Sequence, residues 1–177
     1  MLIFFFLFLG IFTVVMQSTF FPLLPDWLGR PDFIFILVVF AAYKFGWIHG
    51  LFYAFVLGWM TDVMSGIQLG IFPLQYILLF TFLKVITENS PLKESAYQVP
   101  LVGFSYFIIQ MGFYFLYSII LPGTLPEWSW NRMVQETIII LLATIPSFIA
   151  FNYCYEFFSK RRVVHRVVRK RTGNEFR

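Results

Sequence analysis

Long apolar runs, broken by short polar stretches, dominate this chain of 177 residues. Hydropathy and the positions of Pro, Gly and charged residues divide it into six apolar segments: 2–21, 31–45, 47–65, 69–87, 98–121 and 133–158. A helix that crosses a bilayer needs roughly 20 apolar residues. The pattern therefore predicts an all-α polytopic membrane protein with about six transmembrane helices. Five crossings are the alternative, because the second segment is short.

Composition supports the membrane interpretation. Hydrophobic residues make up 59% of the chain and charged residues 12%, about half the charged share of an average soluble domain. The first segment has no basic leader and no small-x-small cleavage site, so we expect a retained helix and not a cleaved signal. We expect residues 1–159 to form a single transmembrane domain.

Basic residues set the expected orientation, because short cytoplasmic loops carry an excess of Lys and Arg. With six helices and the amino terminus inside, only Arg30 and Arg132 fall on the outer side. The cytoplasmic side receives the others: Lys44, Lys84, Lys93, Lys160, Arg161, Arg162, Arg166, Arg169, Lys170, Arg171 and Arg177. Both termini are therefore predicted to be cytoplasmic.

Residues 160–177 form a basic tail that contains KRRVVHRVVRKR. Valines on one arc and cations around the rest predict an amphipathic helix that binds anionic lipid or an acidic partner. The alternative is a solvated stop signal of the positive-inside type. We do not expect nucleic-acid binding from a tail held at a membrane.

The common catalytic motifs HExxH, Gly-x-Ser-x-Gly, GxxxxGK[ST] and GxGxxG do not occur in the sequence. The only two histidines, His49 and His165, adjoin predicted membrane ends, and Cys154 is the only cysteine. We therefore predict no enzymatic activity, no metal site and no cofactor.

The stretch GWMTDVMSGIQLG, residues 58–70, contains one carboxylate among uncharged residues. Small residues or that carboxylate recur at every fourth position: Gly46, Gly50, Ala54, Gly58, Asp62, Gly66 and Gly70. Small residues let helices approach closely in a bilayer. Because four residues advance a helix by about 400°, the stripe drifts around the third helix and predicts that this helix lies at the centre of the bundle.

Asp62 needs a partner, because an unpaired carboxylate is costly inside a membrane. Backbone N–H groups at the Gly66 turn or at the start of the fourth helix would provide one. On this capping hypothesis Asp62→Asn is expected to be mild and Asp62→Leu worse. The alternative, a proton or substrate site, needs a second buried ionisable group. Among the other polar residues, Lys84 is expected to snorkel, and Gln110 and Asn152 to bond between helices.

The run from GRPDF through KFGWIHGLFYAFVLGWMTDVMSGIQLGIFPLQY resembles the rod shape-determining MreD family of bacteria over residues 30–85. The resemblance lies in a Pro followed by an acid before an apolar helix, and in the ordered glycines around one aspartate. It implies that Pro31 and Asp32 open the second helix and that a second set forms the hairpin of the third and fourth helices: Gly50, Gly58, Asp62, Gly66 and Gly70.

The same resemblance implies a multi-pass protein of the bacterial inner membrane without enzymatic activity. Its implied partners are the periplasmic scaffold MreC and the elongation machinery, directly or indirectly: MreB, RodA and a class B penicillin-binding protein. It also implies a fold like the substrate-binding subunits of energy-coupling-factor transporters. The alternative function is therefore a vitamin-binding or cofactor-binding importer subunit, with Asp62, Trp27, Trp128 and Trp130 lining a pocket.

Overall fold

Six α-helices make up the protein. The computed structural model describes residues 2–20, 23, 31–66, 70–89, 95–120 and 129–172, and these ranges contain no strand. The helices are α1 (Leu2–Phe20), α2 (Phe33–Lys44), α3 (Trp47–Ser65), α4 (Ile71–Asn89), α5 (Ser95–Ile120) and α6 (Trp130–Thr172). Each helix coincides with one of the six apolar segments, so the all-α fold is confirmed.

Three helices are long and apolar enough to cross a membrane, over Ile3–Phe20, Ile71–Glu88 and Trp130–Phe157. Helix α2 and residues 99–115 of α5 are shorter apolar stretches. The protein is thus an all-helical membrane protein. Six full crossings stay a prediction, as does the division at residue 159, because α6 continues without a break into the basic stretch.

Helix α2 lies at the centre of the bundle. It packs against all five other helices, and every residue from Ile34 to Ala42 is buried. Its sequence is apolar all round, which is typical of a helix surrounded by protein. The prediction that the third helix is central was wrong, because α3 packs against α1, α2 and α4.

The small residues of α3 face α4 more than they circle the helix. A Cβ atom built on Gly58 would lie 2.8 Å from the carbonyl carbon of Phe72, and still closer to the backbone of Pro73. A Cβ on Gly50 would overlap the ring of Phe80. Glycine at these two positions thus allows α3 and α4 to pack closely.

Two further glycines serve the turn between α3 and α4 in a different way. Gly66 has φ 63° and Gly70 has φ 102°, and an added Cβ at either would meet open space. A left-handed backbone favours glycine because it has no Cβ to clash with the chain. Gly66 therefore ends α3 by conformation and not by close packing.

Helices α5 and α6 pair with each other and contact the α1–α4 body mainly through aromatic rings. The rings of Phe148 and Phe151 on α6 lie 5.7 and 5.4 Å from that of Phe40 on α2. Edge-to-face pairs at such distances add stability beyond their buried area. These contacts attach the second half of α6 to the carboxyl end of α2.

Candidate functional site

Buried polar side chains gather at the two ends of α2. We call the end where α2 and α4 begin and α3 stops the aspartate end, after Asp32 and Asp62. The opposite end, where α2 stops and Lys84 lies, is the lysine end. Helix α2 has 12 residues, or about 18 Å, which is less than a hydrocarbon core of about 30 Å. Its unpaired backbone groups therefore need partners from the surrounding helices.

Asp32 caps the first turn of α2. It is the N-cap residue, only 8% of it is exposed, and its Oδ1 accepts a hydrogen bond of 3.1 Å from the Ile34 amide. A carboxylate here also interacts favourably with the positive end of the helix dipole. The predicted opening of the second helix at Pro31 and Asp32 agrees with this geometry.

Two other helices complete the shell of Asp32. The Tyr76 hydroxyl on α4 donates to Oδ2 at 2.6 Å, and the Gln17 side chain on α1 donates to Oδ1 at 3.4 Å. Gln17 also accepts from the Phe33 amide at 3.2 Å. One carboxylate therefore joins α1, α2 and α4. The sequence hypothesis found no second buried acid besides Asp62, and Asp32 is one.

Tyr106 extends this network to α5 and α6, and nothing in the sequence singled it out. It is fully buried, its hydroxyl contacts the backbone of Asp32, and its ring meets that of Phe35 edge-on at 5.0 Å. It also donates to Glu136 at 3.5 Å. Gln110, which we expected to bond between helices, donates to this same hydroxyl from within α5 at 3.0 Å.

Asp62 joins the end of α3 to the start of α4. Only 1% of it is exposed, and its two carboxylate oxygens accept from two amides, Oδ2 from Gly70 and Oδ1 from Phe72 at 3.1 Å. Its own carbonyl accepts from the Gly66 amide at 3.0 Å. The side chain caps one helix while the backbone closes the other.

Lys84 lies buried at the lysine end, so the expectation that it snorkels was wrong. Its ammonium group donates to the carbonyls of Phe45 at 2.8 Å and Ala42 at 3.3 Å, the last acceptors of α2. Glu88 lies 3.6 Å away and accepts from Trp47 at 2.9 Å. The free carbonyls and the negative dipole end of α2 hold this cation inside the bundle.

The residues proposed for a ligand pocket do not meet in the described part of the protein. Trp130 lies with Val134 and Ile138 on an open apolar groove along α6, whereas Asp62 is paired at the turn between α3 and α4. Trp27 and Trp128 lie outside the described residues. Within the described ranges, no cluster of three or more His, Cys, Asp or Glu residues is placed to hold a metal ion.

Replacing Lys84 tests its role at the end of α2. Lys84→Met keeps an unbranched apolar side chain but leaves the carbonyls of Ala42 and Phe45 unpaired, which costs about 1 to 3 kcal/mol. We expect the melting temperature to fall by about 2 to 12 °C in a thermal unfolding assay. Lys44→Met is the matched control, since Lys44 is exposed at the same end and only faces the Tyr155 ring at 5.5 Å. Equal losses in both variants would contradict a capping role.

Comparison with known proteins extends the resemblance beyond the central motif. The model of the family described as rod shape-determining protein MreD matches residues 1–154, much wider than residues 30–85. No curated protein and no solved structure matches the chain. The family match covers five complete helices and most of the membrane part of α6, and it fits an all-helical membrane protein. The chain therefore belongs to the MreD family of rod shape-determining membrane proteins.

Proposed function

We propose that the protein is a non-enzymatic component of the cell-wall elongation complex, which supports peptidoglycan synthesis and rod shape by binding an MreC-like periplasmic scaffold. The observation that carries this proposal is the family match over residues 1–154. MreB, RodA and a class B penicillin-binding protein are its further partners, directly or through the scaffold.

The buried polar groups support a structural role. Asp32, Asp62 and Lys84 each bond to the end of another helix or to a side chain that holds it. A group that binds a substrate or moves a proton has to exchange partners, whereas a cap keeps them. The bundle thus uses its ionisable residues to fix helix positions, as a rigid binding partner requires.

Charge supports an inner-membrane location with the lysine end in the cytoplasm. Lys44 and Lys84 lie at that end, and Arg132 begins α6 at the aspartate end. Lys93 and Arg30 lie outside the described residues. If both termini and the junction between α4 and α5 are cytoplasmic, a phosphatase reporter at residue 90 will be inactive and a cytoplasmic reporter there will be active. The reverse pattern would overturn this topology.

Co-purification tests the proposed function. The tagged protein, extracted in mild detergent, should retain a single-pass periplasmic coiled-coil protein when both are produced together. Under the importer alternative, a vitamin or cofactor would raise its melting temperature and the scaffold would not co-purify. The likeness of the bundle to energy-coupling-factor subunits stays a prediction, and a ligand-dependent shift is the result that would favour it.

We infer that the basic tail serves inner-leaflet attachment or cytoplasmic coupling and not assembly of the bundle. Deleting residues 160–177 removes eight of the thirteen basic residues, so it should loosen the topology while leaving a foldable core that still binds the scaffold in detergent. Deleting residues 173–177, which removes only Arg177 among them, is the control. Loss of scaffold binding after the longer deletion alone would show that the tail belongs to the interface.

A further inference from the structure

The hairpin of α5 and α6 is attached to the α1–α4 body over only part of its length. On α5, the residues that pack into the main hydrophobic core extend no further than Ile109, and on α6 they begin at Ile140. Phe113 and Met133 are buried outside this core. In the described structure, residues 107–120 and 130–139 thus form an outer part of the hairpin with few core contacts.

The other half of α6 is firmly held. Phe148 and Phe151 pack against Phe40, and Phe151 also lies 6.4 Å from the ring of Phe6 on α1. Tyr155 contacts Phe40 at 6.5 Å and lies under the Lys44 ammonium group. These contacts come from α1 and α2, so the lysine end of α6 cannot move without disturbing the core.

A helix breaker lies between the held half and the outer half of α6. Pro146 is inside the helix, where proline removes a backbone hydrogen bond and clashes with the preceding turn. One turn earlier, the Thr144 hydroxyl donates to the Ile140 carbonyl at 2.6 Å, a bond that also bends helices. The bending point of α6 therefore coincides with the boundary of its core contacts.

Tyr106 links the outer hairpin to the body near this boundary. Its hydroxyl contacts the Asp32 backbone and the Glu136 carboxylate of α6, while its ring packs on Phe35. Glu136 also pairs with Arg132 at 3.9 Å, so it keeps a partner when the tyrosine hydroxyl is removed. One buried hydroxyl thus ties α6 to the start of α2.

We propose that the outer part of the hairpin, residues 107–120 and 130–139, swings against the α1–α4 body on a hinge at Pro146, with Tyr106 as its latch. Ile138 lies about 12 Å before the hinge, so a change of about 20° in the kink moves it by about 4 Å. Because α6 is one helix from Trp130 to Thr172, this motion changes the angle between the aspartate end and the basic stretch. The hinge is independent of which partner the protein binds.

Distance measurements between paired spin labels test the latch. On a Cys154→Ser background, Val63→Cys with Ile138→Cys reports the aspartate end, and Ile48→Cys with Tyr153→Cys reports the lysine end, all four positions being exposed. We expect Tyr106→Phe to broaden or shift the first distance by about 4 Å and to leave the second unchanged. An unchanged first distance, or equal broadening of both, would overturn the proposal.

Two further variants separate the latch from a general loss of stability. Tyr53→Phe is the matched control, since Tyr53 is equally buried and its hydroxyl donates to Phe6 at 3.1 Å within the α1–α4 body. It should leave both distances as they are, and the same broadening as in Tyr106→Phe would count against a latch. Pro146→Ala added to Tyr106→Phe should narrow the first distribution again. An unchanged width would overturn Pro146 as the hinge.

Discussion

Gly58→Leu is expected to abolish accumulation of the folded protein in the membrane. A side chain at position 58 would run into the backbone of Phe72 and Pro73 at the start of α4. Even one or two extra methylenes in a packed core cost about 1 to 3 kcal/mol. A backbone obstacle cannot change rotamer, so the cost here is a large share of a total stability of about 5 to 15 kcal/mol. Membrane levels and detergent size-exclusion profiles of the variant measure this loss.

Gly46→Leu is the control for Gly58→Leu. Gly46 precedes α3 with φ −69°, and an added Cβ would have no neighbour within 4 Å. The same change of volume should therefore leave the protein near wild-type levels. Normal accumulation of Gly58→Leu, or equal loss in both variants, would contradict close packing of α3 on α4 as the reason for glycine at 58.

The turn glycines are expected to be less sensitive, which changes the expectation from the sequence. The stripe suggested that Gly66 allows close packing like Gly58, but its surroundings are open and its φ is positive. A left-handed conformation costs a residue with a Cβ about 1 to 2 kcal/mol. Asparagine tolerates this conformation at helix ends, so position 66 has a substitute that position 58 lacks.

The sequence predicts the parts of the fold that local chemistry determines. Apolar runs and breakers locate all six helices. An acid after Pro31 predicts the cap of α2, and a lone carboxylate beside Gly66 predicts bonds to the next helix. In each case the residue and its partner lie within about ten positions of each other along the chain, so spacing alone brings them together.

Contacts between distant segments were beyond the reach of the sequence. Lys84 looks like a residue at a membrane end, yet it ends α2 because α4 runs beside that short helix. Tyr106 sits in an apolar run with no polar pattern, and only the packing of α5 on α2 brings it to Asp32. The central place of α2 has the same origin, since a 12-residue helix is enclosed only when five others surround it.

Asp62→Leu is expected to cause the largest loss after Gly58→Leu. It leaves the amides of Gly70 and Phe72 without an acceptor in a site that is 1% exposed. Each unpaired donor costs about 1 to 3 kcal/mol, and the bulk of leucine adds to this beside closely packed helices. Folding yield and scaffold binding should fall together. A stable, abundant Asp62→Leu protein would contradict the cap.

Asp62→Asn, expected from the sequence to be mild, should be intermediate, because both carboxylate oxygens accept from backbone amides. An asparagine amide keeps one acceptor and turns an NH2 group towards the other N–H, and a backbone amide cannot reverse its role. Asp32→Asn is the matched control and should be milder. The second partner of Asp32 is the Tyr76 hydroxyl, which can accept from the new NH2 group by rotating its proton. Cell-shape complementation, read beside membrane levels and melting temperatures, compares the two variants. If Asp62→Asn is fully abundant and binds the scaffold but fails to restore rod shape, Asp62 acts in proton or ligand chemistry and the capping role is refuted.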